Sequence, residues 1–83
     1  MKNIIIEYSG ESFEVSVTKI YAYPNNVYKI EYSNIRKLFL IIQSPVYIEV
    51  KDNIVSFQDV NNTEQIDLLK CFWQAIEDNY DSI

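Results

Sequence analysis

The sequence predicts an α+β fold: a mainly antiparallel meander sheet of five to six strands with one C-terminal amphipathic helix packed on one face. Over most of the first two thirds of the chain, apolar residues alternate with polar ones, as in a strand with one buried face. Two-residue turn signals interrupt this alternation, and such turns join antiparallel neighbours. From Thr63 onward the apolar period becomes 3.6 residues, which is typical of a helix that covers a sheet.

The first hairpin is predicted with the loop Gly10-Glu11, because glycine readily accepts a positive φ. This loop puts three pairs on one face: Tyr8 opposite Phe13, Ile6 opposite Val15 and Ile4 opposite Val17. A second hairpin is predicted at Asp52-Asn53, since both residue types tolerate the left-handed region. Its register sets Val50 against Val55 and Ile48 against Phe57. The two hairpins support the strand assignment independently.

Between the hairpins, the segment VYKIEYS at residues 27–33 alternates with Tyr28, Ile30 and Tyr32 directed inward. A turn is predicted just before it at YPNN, residues 23–26, where proline fixes φ and the asparagines suit a turn. Farther along, Pro45 is expected to start the strand VYIEV at residues 46–50.

Residues 35–43 fit two patterns. As a strand they place Leu38, Leu40 and Ile42 on one face and Phe39 and Ile41 on the other. As a helix they group Ile35, Leu38, Phe39 and Ile42, with Ser33 or Asn34 as the cap. A strand is favoured because the segment is short and Pro45 follows. Such a strand must be covered on both faces or expose an apolar side.

The C-terminal helix is predicted to start after a cap at Asn62 or Thr63, with Gln65 completing a capping box. Its core-facing stripe contains Ile66, Leu69, Trp73, Ile76 and Tyr80, with Phe72 at the edge. The opposite side contains Asp67, Lys70, Gln74, Glu77, Asp78 and Asp81. Cys71 falls on the far flank with Leu68 and Ala75. We therefore expect a packed thiol rather than a reactive one, and a core role for Trp73.

A chain of 83 residues is too short for two hydrophobic cores, so one small α+β domain spanning residues 1–83 is expected. A closed or half-closed barrel plugged by the helix is the alternative architecture. The single cysteine cannot form an intramolecular disulfide, and the apolar run at residues 4–6 is too short for a signal peptide or a membrane span. A soluble, cytoplasmic protein without membrane contact is the expectation.

The net charge of −5 is concentrated at the C-terminal end. Residues 1–51 contain six basic and five acidic side chains, whereas residues 52–83 contain one basic and seven acidic ones. Binding to a nucleic-acid backbone requires clustered Lys and Arg, and this sequence has no such cluster. Direct nucleic-acid binding is therefore not expected.

The residue inventory disfavours catalysis and metal binding. The chain has no histidine, and its single glycine excludes glycine-rich phosphate loops. Glu7 and Glu14 neighbour each other on the predicted sheet, but a pair of acids on a solvated strand is usually a surface feature. Residues 59–70 resemble a calcium loop only weakly, because Glu64 stands where glycine is needed and Lys70 where an acid belongs. No catalytic residue, metal or cofactor is expected.

The leading hypothesis is a non-enzymatic protein-binding module, either an adaptor or a small acidic inhibitor. The richness in Ile, Asn, Lys and Tyr is typical of bacterial or phage proteins from AT-rich genomes. Contiguous apolar residues on the outward sheet face would contact a protein partner, together with the acidic helix surface. The predicted contact residues are Phe39, Ile41, Tyr47, Ile54, Asp67, Glu77, Asp78 and Asp81. The alternatives are an obligate homo-oligomer such as a homodimer, a nucleic-acid mimic and a small-ligand-binding domain near Trp73.

Overall fold

The computed structural model describes residues 1–22, 25–58 and 60–82. Its elements in chain order are β1 (Lys2–Tyr8), β2 (Glu11–Ala22), β3 (Asn25–Glu31), α1 (Arg36–Phe39), β4 (Val46–Lys51), β5 (Ile54–Phe57), α2 (Thr63–Asp78) and a 3₁₀ turn (Tyr80–Ser82). The strands form one sheet in the order β1-β2-β3-β4-β5, and every neighbouring pair is antiparallel. The predicted α+β meander with a C-terminal helix is confirmed. Because β1 and β5 are the two edges of the sheet in the described residues and do not pair with each other, the closed-barrel alternative is wrong.

The loop of the first hairpin is Ser9-Gly10, not Gly10-Glu11. Tyr8 pairs with Glu11, and Ile6 pairs with Phe13, so the register differs from the predicted one by two residues. Ser9 and Gly10 have φ values of 53° and 78°, and two consecutive positive φ values are typical of a type I′ turn. A shift of two residues keeps every side chain on its predicted face, which is why the inward-facing set was still correct.

The second hairpin confirms its predicted register. Ile48 pairs with Phe57, and Val50 pairs with Val55. The loop residues Asp52 and Asn53 have φ values of 51° and 65°, again as in a type I′ turn.

The inward direction of Tyr28 and Ile30 in β3, and of Tyr32 directly after it, is confirmed, since all three are buried. The predicted turn at residues 23–26 falls partly on residues 23 and 24, which lie outside the described ranges. Asn25 and Asn26 belong to β3 itself, where Asn26 pairs with Tyr21.

The strand predicted over residues 35–43 is wrong. Residues 36–39 form α1, and turn residues continue from it, with the Ile42 amide donating to the Leu38 carbonyl. Leu38 and Ile42 are buried in the core. The segment follows its helical period: Ile35 packs against the same core as Leu38 and Ile42, whereas Leu40, which a strand would place beside them, is 72% exposed. Residue 45 precedes β4, as expected.

Helix α2 is capped as predicted. The Asn62 side chain accepts a hydrogen bond of 2.9 Å from the Gln65 amide. In a standard capping box the Gln65 side chain would accept a hydrogen bond from the Asn62 amide. Here it accepts a hydrogen bond of 2.7 Å from the amide of Asn61 instead. The helix start is therefore stabilised by a variant of the predicted capping box.

The buried stripe of α2 is rotated from the predicted one. It contains Leu68, Leu69, Phe72, Ala75 and Ile76, whereas Ile66 and Trp73 are half-buried and Tyr80 is exposed. Leu68 and Ala75, predicted on the far flank, thus belong to the core. The reason is the position of α2, which lies alongside the edge strand β1. Trp73 lies at the core margin, edge-on to Tyr28 at a ring separation of 5.9 Å.

Candidate functional site

Both helices pack on the same face of the sheet. The buried side chains of α1 and α2 form one apolar core with the inward side chains of the strands. The other face, which we call the open face, is not covered by any element in the described ranges. Two cross-strand pairs lie on the open face: Ile20 pairs with Val27, and Lys29 pairs with Tyr47.

Three apolar side chains lie next to one another on the three middle strands of the open face. Ile20 on β2 lies directly opposite Val27 on β3. Tyr47 on β4 is diagonal to Val27, because Val27 pairs with Glu49 two residues farther along. Ile20 is 40% exposed, Tyr47 is 43% exposed and Val27 is half-buried. We call these three residues the central apolar patch; it crosses the three middle strands.

A shallow depression adjoins the central apolar patch. It has a volume of about 290 Å³ and is lined by Val27, Tyr47, Glu49, Ser56, Phe57 and Gln58. The Gln58 side chain accepts a 3.3 Å hydrogen bond from the Tyr47 amide, which fixes one wall. The depression could accept an apolar side chain of a partner beside the Tyr47 ring.

Charged side chains surround the central apolar patch. Lys29 forms an ion pair of 3.1 Å with Glu31, and the hydrogen bond and charge of Glu31 raise the pKa of Lys29. Glu49 and Lys51 on β4 alternate in sign on the same face. An apolar centre with a mixed charged rim is the usual anatomy of a protein interface.

The structure separates the predicted contact residues into three places. Tyr47 and Ile54 lie on the open face, where Ile54 is 67% exposed beside the Asp52-Asn53 turn. Phe39 and Ile41 do not lie there, because they belong to α1 and its following turn on the covered side. The four acidic residues Asp67, Glu77, Asp78 and Asp81 are exposed on α2 and the 3₁₀ turn.

A second depression lies where α1 and α2 meet. Its volume is about 370 Å³, and its lining includes Phe39, Ile41, Gln58 and Gln65. The Gln65 side chain donates a 3.1 Å hydrogen bond to the Ile41 carbonyl, so this polar group serves to join the two helical segments. Leu40, which is 72% exposed at its rim, was missed as a surface residue because the strand pattern directed it inward.

Cys71 is half-buried, as expected for a packed thiol. Burial raises its pKa, and the nearby charge of Asp67 raises it further, so the thiol is protonated at neutral pH. Across the described residues, no group of three or more His, Cys, Asp and Glu side chains is arranged to hold a metal ion. Neither helix in those ranges is both long enough and apolar enough to cross a membrane.

No family model matches the chain, and no curated protein or solved structure is significantly similar to it.

Proposed function

We propose that the protein is a non-enzymatic protein-binding module, acting as an adaptor or a small acidic inhibitor, and that it contacts its partner through the open face of the sheet. The observation that supports this most strongly is the central apolar patch of Ile20, Val27 and Tyr47. Both helices lie on the opposite side, so the chain's own described elements leave this cluster in contact with solvent.

The cluster has the composition of an interface centre. Two aliphatic side chains and one tyrosine bury large area at little cost in side-chain entropy, and tyrosine keeps a polar tip. Contiguous exposed apolar surface on a small domain usually marks a binding site, whereas scattered apolar residues do not. Here the three residues lie on adjacent strands, so a partner could cover them together.

The test compares the wild-type chain with the double variant Ile20→Ser/Tyr47→Ser. Partners are first identified by affinity purification with quantitative mass spectrometry, and binding is then measured with the purified partner. The double variant should lose at least about tenfold in affinity, which corresponds to roughly 1.4 kcal/mol. Its melting temperature should change little, because these side chains are exposed.

Leu40→Ser is the matched control, since it removes an exposed apolar side chain from the covered side of the molecule. It should leave partner affinity unchanged. Equal affinities for the wild type and the double variant would refute the open face as the contact surface.

A further inference from the structure

A groove runs between the edge strand β1 and one flank of α2. Its volume is about 460 Å³, and it is lined by Ile5, Glu7, Cys71, Gln74, Ala75 and Asp78. The four α2 residues stand at positions i, i+3, i+4 and i+7, so they form one continuous flank of the helix. Because α2 lies alongside β1, the outermost strand, the groove opens at the free edge of the sheet.

The free edge of β1 presents unpaired backbone groups to this groove. A two-residue loop makes Tyr8 and Glu11 a hydrogen-bonded pair, and bonding then alternates along the strand. Ile4 and Ile6 therefore direct their backbone groups toward β2, whereas Asn3, Ile5 and Glu7 direct theirs outward. An edge of this kind can accept a further antiparallel or parallel strand.

The lining of the groove combines an apolar centre with acidic ends. Cys71, Ala75 and Asp78 line it from α2, whereas Ile5 and Glu7, which alternate with the buried Ile4 and Ile6, border it from the open-face side of the edge. Burial raises the pKa of Tyr8, and the charges of Glu64 and Asp67 raise it further. The start of α2, which carries these two acids, therefore lies near the Tyr8 end of β1. Asp78, at the other end of α2, lies at the opposite end of the groove.

We propose that this edge groove binds an extended segment of a partner protein as a sixth strand, and that the segment has aliphatic residues at its centre and Lys or Arg toward its ends. The backbone of Asn3, Ile5 and Glu7 would supply the hydrogen bonds, Cys71 and the aliphatic part of Gln74 would contact the aliphatic side chains, and Glu7 and Asp78 would attract the cations. The site is separate from the central apolar patch and does not depend on it.

A second copy of the chain fits this groove poorly. Pairing two antiparallel β1 edges about a twofold axis would bring the Glu7 end of each copy to the Asp78 end of the other, so acid would meet acid. Each copy also has a net charge of −5, so the approach is repulsive overall. A basic segment avoids both costs, which is why the proposal commits to it.

The probe is a synthetic peptide, N-acetyl-Arg-Thr-Val-Thr-Val-Thr-Val-Arg-amide, titrated into the ¹⁵N-labelled protein and followed by NMR. Its two Arg side chains project to opposite faces of the added strand, one toward Asp78 and the other toward Glu7. The largest amide shifts should fall on Asn3, Ile5 and Glu7 and along the α2 flank at Cys71 and Ala75. The same peptide with Glu in place of both Arg residues should bind at least about tenfold more weakly, because its charge is reversed.

Two variants test the two parts of the interaction. Ile5→Pro removes one outward amide without removing a hydrogen bond to β2, and should weaken peptide binding at least about fivefold. The double variant Glu7→Lys/Asp78→Lys should weaken it at least about tenfold. Its matched control, Glu31→Lys/Glu49→Lys, makes the same change in net charge on β3 and β4, away from the groove, and should leave affinity within about twofold.

Three results would overturn the proposal. The first is a set of peptide-induced shifts confined to the open face, and the second is equal affinity for the basic and acidic peptides. The third is a concentration-dependent dimer in sedimentation that Ile5→Pro abolishes, because a second copy would then occupy the edge. Open-face binding, tested with Ile20→Ser/Tyr47→Ser, is measured independently, so either proposal can fail alone.

Discussion

The phenol of Tyr32 donates a buried hydrogen bond of 2.7 Å to the backbone carbonyl of Ile42. This bond joins the end of β3 to the turn that follows α1, and the Tyr32 ring also packs on Phe72 of α2 at 5.1 Å between centroids. One side chain therefore connects the sheet, the short helical segment and the long helix. The same bond ties the wound segment at residues 36–42 to the core.

Removing this hydroxyl should cost stability. Tyr32→Phe keeps the ring but leaves the Ile42 carbonyl without its donor in the core, so we expect a loss of about 1–3 kcal/mol in the free energy of unfolding. Urea denaturation measures it. Tyr47→Phe is the control, because the Tyr47 ring is substantially exposed, and a comparable loss in that variant would contradict the role assigned to the buried bond.

Stability should fall at alkaline pH. Burial raises the pKa of Tyr32 above its ordinary value of 10.0, so the unfolded chain releases this proton at lower pH than the folded one. Above pH 10 the unfolded state then binds fewer protons, and the free energy of unfolding decreases as the pH rises further. Urea titrations at about pH 8 and about pH 11 should reveal the decrease, and it should be smaller in Tyr32→Phe. Equal pH dependence in the two proteins would exclude Tyr32 as its source.

The β1–β2 turn should be improvable by one substitution. Ser9 has a φ of 53°, in the left-handed region that asparagine tolerates better, and Asn-Gly is the preferred type I′ pair. Ser9→Asn should therefore raise the free energy of unfolding by about 0.5 kcal/mol. Gly10→Ala should lower it by about 1 kcal/mol through backbone strain alone, since no atom lies within 4 Å of the added methyl. A stabilising Gly10→Ala would contradict the assigned turn.

Lys19 should hold the C-terminal turn in place. Its ammonium lies 4.8 Å from the Tyr21 ring centroid, 5.8 Å from that of Tyr28 and 5.4 Å from that of Tyr80. Lys19→Met keeps the aliphatic chain but removes the charge, so we expect a loss of about 1 kcal/mol and faster amide exchange around Tyr80. Lys51→Met, which removes an exposed charge, should change neither. Unchanged exchange in Lys19→Met would show that the cation does not fix the turn.

The sequence predicts the sheet well because its main signal is robust. A period of two residues identifies the buried face whatever the loop position, so the first hairpin could be displaced by two residues without moving any side chain to the other face. The loop itself could not be assigned from glycine alone, since glycine suits either position. Ser9 in the left-handed region is the feature that the residue types did not indicate.

Elements that depend on tertiary contacts were predicted less well. The helical period of residues 35–42 was visible in the sequence, but the short length favoured a strand. The contacts that accompany the wound form, the burial of Leu38 and the bond from Tyr32 to the Ile42 carbonyl, are tertiary and could not be read from the sequence. The site was predicted in part: Tyr47 and Ile54 lie on the open face, while Phe39 and Ile41 do not. The β1 edge groove could not be predicted, because it depends on where α2 lies across the sheet.

The most direct test of the open-face interface is site-specific photocrosslinking in the native cell. The photoreactive residue p-benzoylphenylalanine replaces Tyr47 in one variant and Leu40 in the other, and illuminated cells are analysed for covalent adducts. We predict an adduct with one protein partner from position 47 and none from position 40. An adduct from position 40 alone, no adduct from position 47, or an adduct with the mass of two copies of this chain would contradict the account.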